Sequence, residues 1–122
     1  MPGVAGESSV MAGKENTAAA MGSGDMEVFA TPAMIALAEN AAMKAVAPFL
    51  GEDQTTVGSL IAMSHLKPTA PGDTVTARAM LAEIDGRRLT FTVEASDSED
   101  VIGEGRHVRY IVGREKFLSK LK

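Results

Sequence analysis

The sequence contains no cysteine and no tryptophan. The first absence excludes disulfides and thiolate nucleophiles, and it agrees with a reducing compartment. The second, with aromatics at only 4%, leaves the core to Ala, Val, Leu, Ile and the eight Met. Methionine is flexible and polarizable and lines adaptable pockets, but core filling is its commoner role. Basic charge is also short: 12 Lys and Arg stand against 16 Asp and Glu, a net charge of −4. With no basic patch and no interleaved aromatics, nucleic-acid binding is not expected. No apolar run reaches about 18 residues, so no segment reads as a membrane span. Residues 1–9, MPGVAGESS, lack the basic and apolar regions of a signal peptide and read as a mobile terminus. A cytoplasmic chain with one domain over residues 10–122 is the expectation. No phosphate loop, paired-cysteine metal site or nucleophile elbow is present.

What is there is apolar material, 45% of the residues, arranged with clear periods. SVMAGKEN suggests a first strand from Ser9, and TAAAMGSGD one helical turn stopped by Gly22 and Gly24. MEVFA reads as a short extended approach. A long helix then begins at Thr31, a good N-cap, with Pro32 at the first helical position, and ends at Pro48 and Gly51. The rest alternates as strands: QTTVGSLIAMSHL, then TVTARAMLAEI turning at Asp85-Gly86 into RRLTFTVEA, then VIGEGRHVRYIV. In the third of these Leu89, Phe91, Val93 and Ala95 form one buried face, the pattern of an antiparallel sheet wet on its other side. REKFLSKLK is a basic amphipathic tail that suits a short helix. A helix apolar nearly all round must be surrounded. A sheet curled around it satisfies that need, which makes the class α+β and the architecture a hotdog fold. Such a sheet leaves edge strands and an incompletely covered helix, and pairing of edges in a homodimer would repair both.

Several residues interrupt this pattern. Glu39 lies in the helix sector of Ile35, Ala42, Met43 and Val46, apart from Asn40 and Lys44. It is either a rim carboxylate paired with a base or a partly buried group suited to general acid–base chemistry, because burial disfavours its charged form. Thr31 caps the helix for structure alone, or else offers a hydroxyl beside N–H groups aimed at a carbonyl oxygen. His65, placed by alternation on the face of Val57, Ser59, Ile61 and Met63, is a core histidine or the best proton carrier in the chain. Gly58 marks a bulge or a close approach of the backbone to a ligand. His107 and Arg109 share what reads as a solvated strand face, with Arg109 as a candidate ligand for a phosphate-bearing substrate.

Thr31, Glu39, Gly58 and His65 stand at the spacing seen in hotdog thioesterases similar to fluoroacetyl-CoA thioesterase. EVFATPAMIALAENAAMKAVAPFL, TTVGSLIAMSHLKPTAPGDTVTARAMLAEIDGRRLTF and IGEGRHVRYIVGREKF resemble that family too, over roughly residues 27–117 and more loosely 10–26. The resemblance implies a homodimer, or a higher homo-oligomer, that hydrolyses acyl-CoA thioesters with no cofactor and no metal. It implies Thr31, Glu39 and His65 as the catalytic set, with Glu39 attacking or activating water, His65 moving protons and Thr31 positioning the reacting group. Gly58 and Arg109 match substrate-contacting positions. The likeness is weakest where a substrate lid would form: TAAAMGSGDM holds no aromatic before Phe29. The expected substrate is therefore a general short-chain acyl-CoA. The rival readings are a non-catalytic acyl-CoA-binding hotdog protein and a hotdog dehydratase or hydratase. The latter usually carries its His with an acidic partner in a different helix context.

Overall fold

The computed structural model describes residues 2–121. Five strands, β1 (Ala5–Met11), β2 (Gln54–His65), β3 (Thr74–Asp85), β4 (Arg88–Ser96) and β5 (Val101–Gly113), form one sheet in the order β1-β3-β4-β5-β2. Every neighbouring pair is antiparallel. The helices are α1 (Ala18–Met21), α2 (Thr31–Val46) and α3 (Arg114–Ser119), with a 3-10 turn, Ala47–Phe49, closing α2. The sheet wraps α2, which lies mainly on β1 and β3 and also meets β4 and β2. This is the hotdog arrangement expected from the sequence.

The core explains the composition. Ala38, Ala41 and Ala42 on α2 are fully buried against Val75, Leu81, Leu89 and Phe91 of the sheet. Small helix residues let the backbones approach closely. A Cβ added at Gly6 would run into the Ala41 carbonyl and come within 2.7 Å of the Ala45 nitrogen. The methionines behave otherwise than expected: Met34 is fully buried, whereas Met11, Met21, Met26, Met43 and Met80 are exposed. A helix held this near the sheet has room for methyl groups and little room for long side chains.

Boundaries differ in instructive places. Ala5–Ser9, expected in a mobile terminus, are strand residues paired with Thr76–Met80 of β3. Asn40 and Lys44, both exposed on α2, help hold this strand: Ser8 Oγ donates to Asn40 Oδ1, and Lys44 Nζ donates to the Glu7 carbonyl. Isolated polar residues in a short segment hide a strand whose partners are distant in sequence. The hairpin loop is Gly86-Arg87 rather than Asp85-Gly86, since Asp85 pairs with Arg88. Gly86 has φ +64°, which suits the first position of a tight hairpin turn. MEVFA forms an isolated bridge between Thr17 and Phe29 rather than a strand; its Val28 and Met26 carbonyls accept from Ala18 and Ala19 N–H, and Phe29 N–H donates to the Thr69 carbonyl.

Replacing Gly6 by Ala is expected to destabilise the fold by about 1–3 kcal/mol, the usual cost of overpacking. Chemical denaturation would show it; an unchanged midpoint would mean that β1 can shift away from α2 without loss.

Candidate active site

The N-cap of α2 is Ala30, which has extended backbone angles and no side-chain cap. Thr31 is the first helical residue and Pro32 the second, so the expected capping role of Thr31 is not fulfilled. Phe29 and Met34, both fully buried, occupy the positions of a hydrophobic staple and fix the entry of the chain instead. The Thr31 hydroxyl is thereby free to meet another group, and its Oγ1 lies 2.7 Å from His65 Nδ1. Burial holds His65 below the ordinary imidazole value, against a smaller opposing effect of the Lys67 backbone. It is therefore neutral near pH 7 and able to take a proton. Its Nε2 is buried and has no hydrogen-bond partner among the described residues.

A one-residue bulge governs the next part. Gly58 pairs with Arg109 and Leu60 with Val108, leaving Ser59 as the extra residue. The bulge reverses the alternation. Thr56 and Gly58 face inward before it, and the half-buried Ile61, Met63 and His65 face inward after it. The straight alternation that grouped His65 with Val57 and Ser59 is thus corrected, while Gly58 does mark a bulge. A Cβ placed on Gly58 would be 2.9 Å from Glu39 Oε2, 3.2 Å from His107 Cε1 and 3.4 Å from Arg109 Nη1. Gly58 is the bare floor on which these three side chains converge.

His107 and Arg109, expected on a solvated face, are buried at 0% and 7% exposure. The inward face of β5 carries them, and the sheet's curl closes over it. Arg109 Nε donates to Thr56 Oγ1 at 2.7 Å, Nη2 to the Thr56 carbonyl at 2.8 Å, and Nη1 to His107 Nε2 at 3.2 Å. His107 Nδ1 is 2.7 Å from the Leu60 carbonyl. A carbonyl can only accept and a guanidinium can only donate, so His107 is neutral with its proton on Nδ1. Burial, and to a lesser degree the Arg109 charge, lowers its pKa; Leu60 and Glu39 act in the opposite sense. Burial also pulls Arg109 down, and the Glu39 charge opposes this. The half-buried Glu39 makes no hydrogen bond and no ion pair within 4.0 Å among the described residues.

Two polar groups result within one chain: Thr31 with His65, and Glu39 with Gly58, His107 and Arg109. No hydrogen bond joins them, and Thr31 and Glu39 are about 12 Å apart along the helix. A cleft of about 280 Å³, walled by Ala18, Ser23, Val28 and Phe29, opens at Thr31 and His65. A larger depression of about 440 Å³, lined by residues such as Arg78, Met80, Thr92 and Glu104, lies on the sheet's outer face, away from both groups. The smaller cleft is where His65 and the N-terminus of α2 meet. Sequence reasoning missed the wall contributed by α1 and the burial of His107; the short alternation Gly103, Gly105, His107, Arg109 was the available signal for an inward face.

The profile of the fluoroacetyl-CoA-specific thioesterase family matches residues 13–115. The chain is 43% identical over 96 residues to the fluoroacetyl-CoA thioesterase of Streptantibioticus cattleyicolor, covering 79% of this chain and 69% of that one. A solved fluoroacetyl-CoA thioesterase structure superposes with a TM-score of 0.92 at 34% identity, covering 99% of this chain and 94% of the other. A thioesterase superfamily member from Thermus thermophilus gives 0.91 at 29% identity, with 98% and 89% covered. Fold and matches define an acyl-CoA thioesterase of the hotdog class. The chain belongs to the fluoroacetyl-CoA-specific thioesterase family. No helix among the described residues is long and apolar enough to cross a membrane.

Because His107 and His65 are both held below their ordinary values, the unfolded chain binds protons that the folded rings refuse. Stability is present above the ordinary imidazole value and is lost as pH falls below about 6.5. Urea unfolding between about pH 7 and pH 5 is expected to show this decline. His107→Gln should flatten the slope in part, leaving the share of His65; an identical slope would place the proton linkage elsewhere.

Proposed function

We propose that this protein hydrolyses short-chain acyl-CoA thioesters at a site made by Thr31 and His65 of one subunit and Glu39 of a partner subunit. The carrying observation is the 2.7 Å contact of Thr31 with His65 at the mouth of a cleft of about 280 Å³. That volume falls below the range of about 300–1,000 Å³ common for larger ligands and suits a few-carbon acyl group. The thioester carbonyl lies at the α2 N-terminus, where free N–H groups and the helix dipole favour developing negative charge on oxygen. Glu39, whose oxygens carry no other hydrogen bond among the described residues, takes a proton from water as the water oxygen bonds to the carbonyl carbon. The carbon–sulfur bond then breaks, and neutral His65 takes the proton held by Glu39 and passes it to the departing thiolate, which returns both groups to their starting states. Free CoA and a carboxylic acid leave. Thr31 orients the imidazole and the reacting carbonyl. Gly58 and Arg109 contact the acyl end beside Glu39. A base, a proton carrier and oriented donors account for the chemistry without metal, as acyl transfer allows.

Completion by a second copy is supported by the separation of the two polar groups and by the unpartnered His65 Nε2. β2 lies at an edge of the sheet and carries Leu60 at 43% exposure. Antiparallel pairing of two β2 strands about a two-fold axis between Ile61 and Ala62 would face His65 with Gly58 of the partner subunit. Glu39 of the partner subunit, which covers that glycine, then reaches the Thr31–His65 pair. The closed edge also removes a site for unwanted strand addition.

Free CoA release from a series of short acyl-CoA esters tests the activity. Glu39→Gln and His65→Ala should each lower kcat by about 100-fold or more, the scale of a lost acid–base group. Mixing the two inactive variants should restore activity towards about a quarter of wild type, because a mixed dimer contains one intact site. No recovery despite subunit exchange would place the whole site in one chain. Binding of the esters without turnover in the wild type would favour the non-catalytic reading. A chelator is expected to leave turnover unchanged, and a loss restored by a divalent cation would overturn the metal-free mechanism.

A further inference from the structure

We infer that His107 is a positioning residue that keeps Arg109 from closing onto Glu39, an inference that rests on the proposed hydrolysis at Glu39. His107 is fully buried and cannot touch a substrate. Both its ring nitrogens are engaged, one by the Leu60 carbonyl just beyond the bulge and the other by Arg109 Nη1. Its ring packs 6.1 Å from that of Phe91, centroid to centroid, which limits its movement. Thr56 holds Nε and Nη2 of the same guanidinium. Three contacts therefore fix Arg109 from two strands, and the one supplied by His107 is on the end that faces Gly58 and Glu39.

A buried guanidinium beside a carboxylate ordinarily closes into a short, two-bonded ion pair. Here the two charges lie near enough to influence one another, yet make no ion pair within 4.0 Å. The acceptor that competes for Nη1 is His107 Nε2. A carboxylate locked by Arg109 would have its lone pairs occupied and would be a poorer base or nucleophile. The neutral Nδ1–H tautomer thus serves a definite purpose: its proton anchors the ring to the bulge, and its bare Nε2 holds the arginine at a distance. A protonated ring could not do this.

The two amide variants separate the two functions of the ring. His107→Gln extends an acceptor to the Nε2 position. His107→Asn offers an amide only at the Nδ1 position and leaves Nη1 without an acceptor. The expected result is a fall of about tenfold or more in kcat for His107→Asn, larger than the accompanying rise in KM from the displaced Arg109, a loss of the size that small misplacement causes. His107→Gln should recover most of it. Thermal unfolding of both variants identifies any loss due to misfolding. Nitrogen-15 spectra of the Arg109 side chain provide a second readout that needs no turnover. The Nη1 resonance should change strongly in His107→Asn and stay near its wild-type position in His107→Gln. Folded His107→Asn with wild-type kcat and an unmoved Nη1 resonance would overturn the inference while leaving the thioesterase reading intact. A wild type that binds but does not turn over acyl-CoA would defeat that reading, and the resonances would still decide whether His107 restrains Arg109.

Discussion

The extra residue in β2, Ser59, sets which side chains meet the helix. Seven positions separate Gly58 from His65, an odd number, so a regular strand would put them on opposite faces. The bulge puts both inside. It also brings the Leu60 carbonyl to His107, and so ties the inward face of β5 to the edge strand. Without it, either the histidine or the glycine floor would face solvent, and no arrangement of α2 could serve both.

The helix adapts to this geometry by being small where it packs and polar where it crosses β2. Ala38, Ala41 and Ala42 let the sheet close tightly, while Thr31 and Glu39 sit two turns apart over different ends of the strand. Burial then sorts the titratable groups. The two histidines are kept neutral by desolvation, one at the mouth of a cleft and one behind Arg109. Glu39 is left without a hydrogen-bonded or ion-paired partner among the described residues.

Much of the fold was legible because its signals are local. The alternation Leu89, Phe91, Val93, Ala95 gave a half-buried strand, and Thr31-Pro32 placed the start of the long helix to within a residue. Thr31, Glu39, Gly58 and His65 could be singled out as candidates, but their grouping could not. Thr31 resembled a cap because helix entry here is fixed by Phe29 and Met34, an apolar device invisible to a search for capping hydroxyls. His107 and Arg109 resembled a wet strand face because their polarity is satisfied by Thr56, Leu60 and each other.

The sequence by itself determined the antiparallel α+β class, the lack of thiolate chemistry, and an apolar helix that demanded a sheet around it. These follow from composition and period, which act between near neighbours. Only the tertiary structure decided that Ala5–Ser9 form an edge strand, that Thr31 bonds His65, and that Glu39 belongs with Gly58, His107 and Arg109. Each depends on register between segments distant in the chain. A single bulged residue changes the face of everything beyond it, and no local pattern records that change.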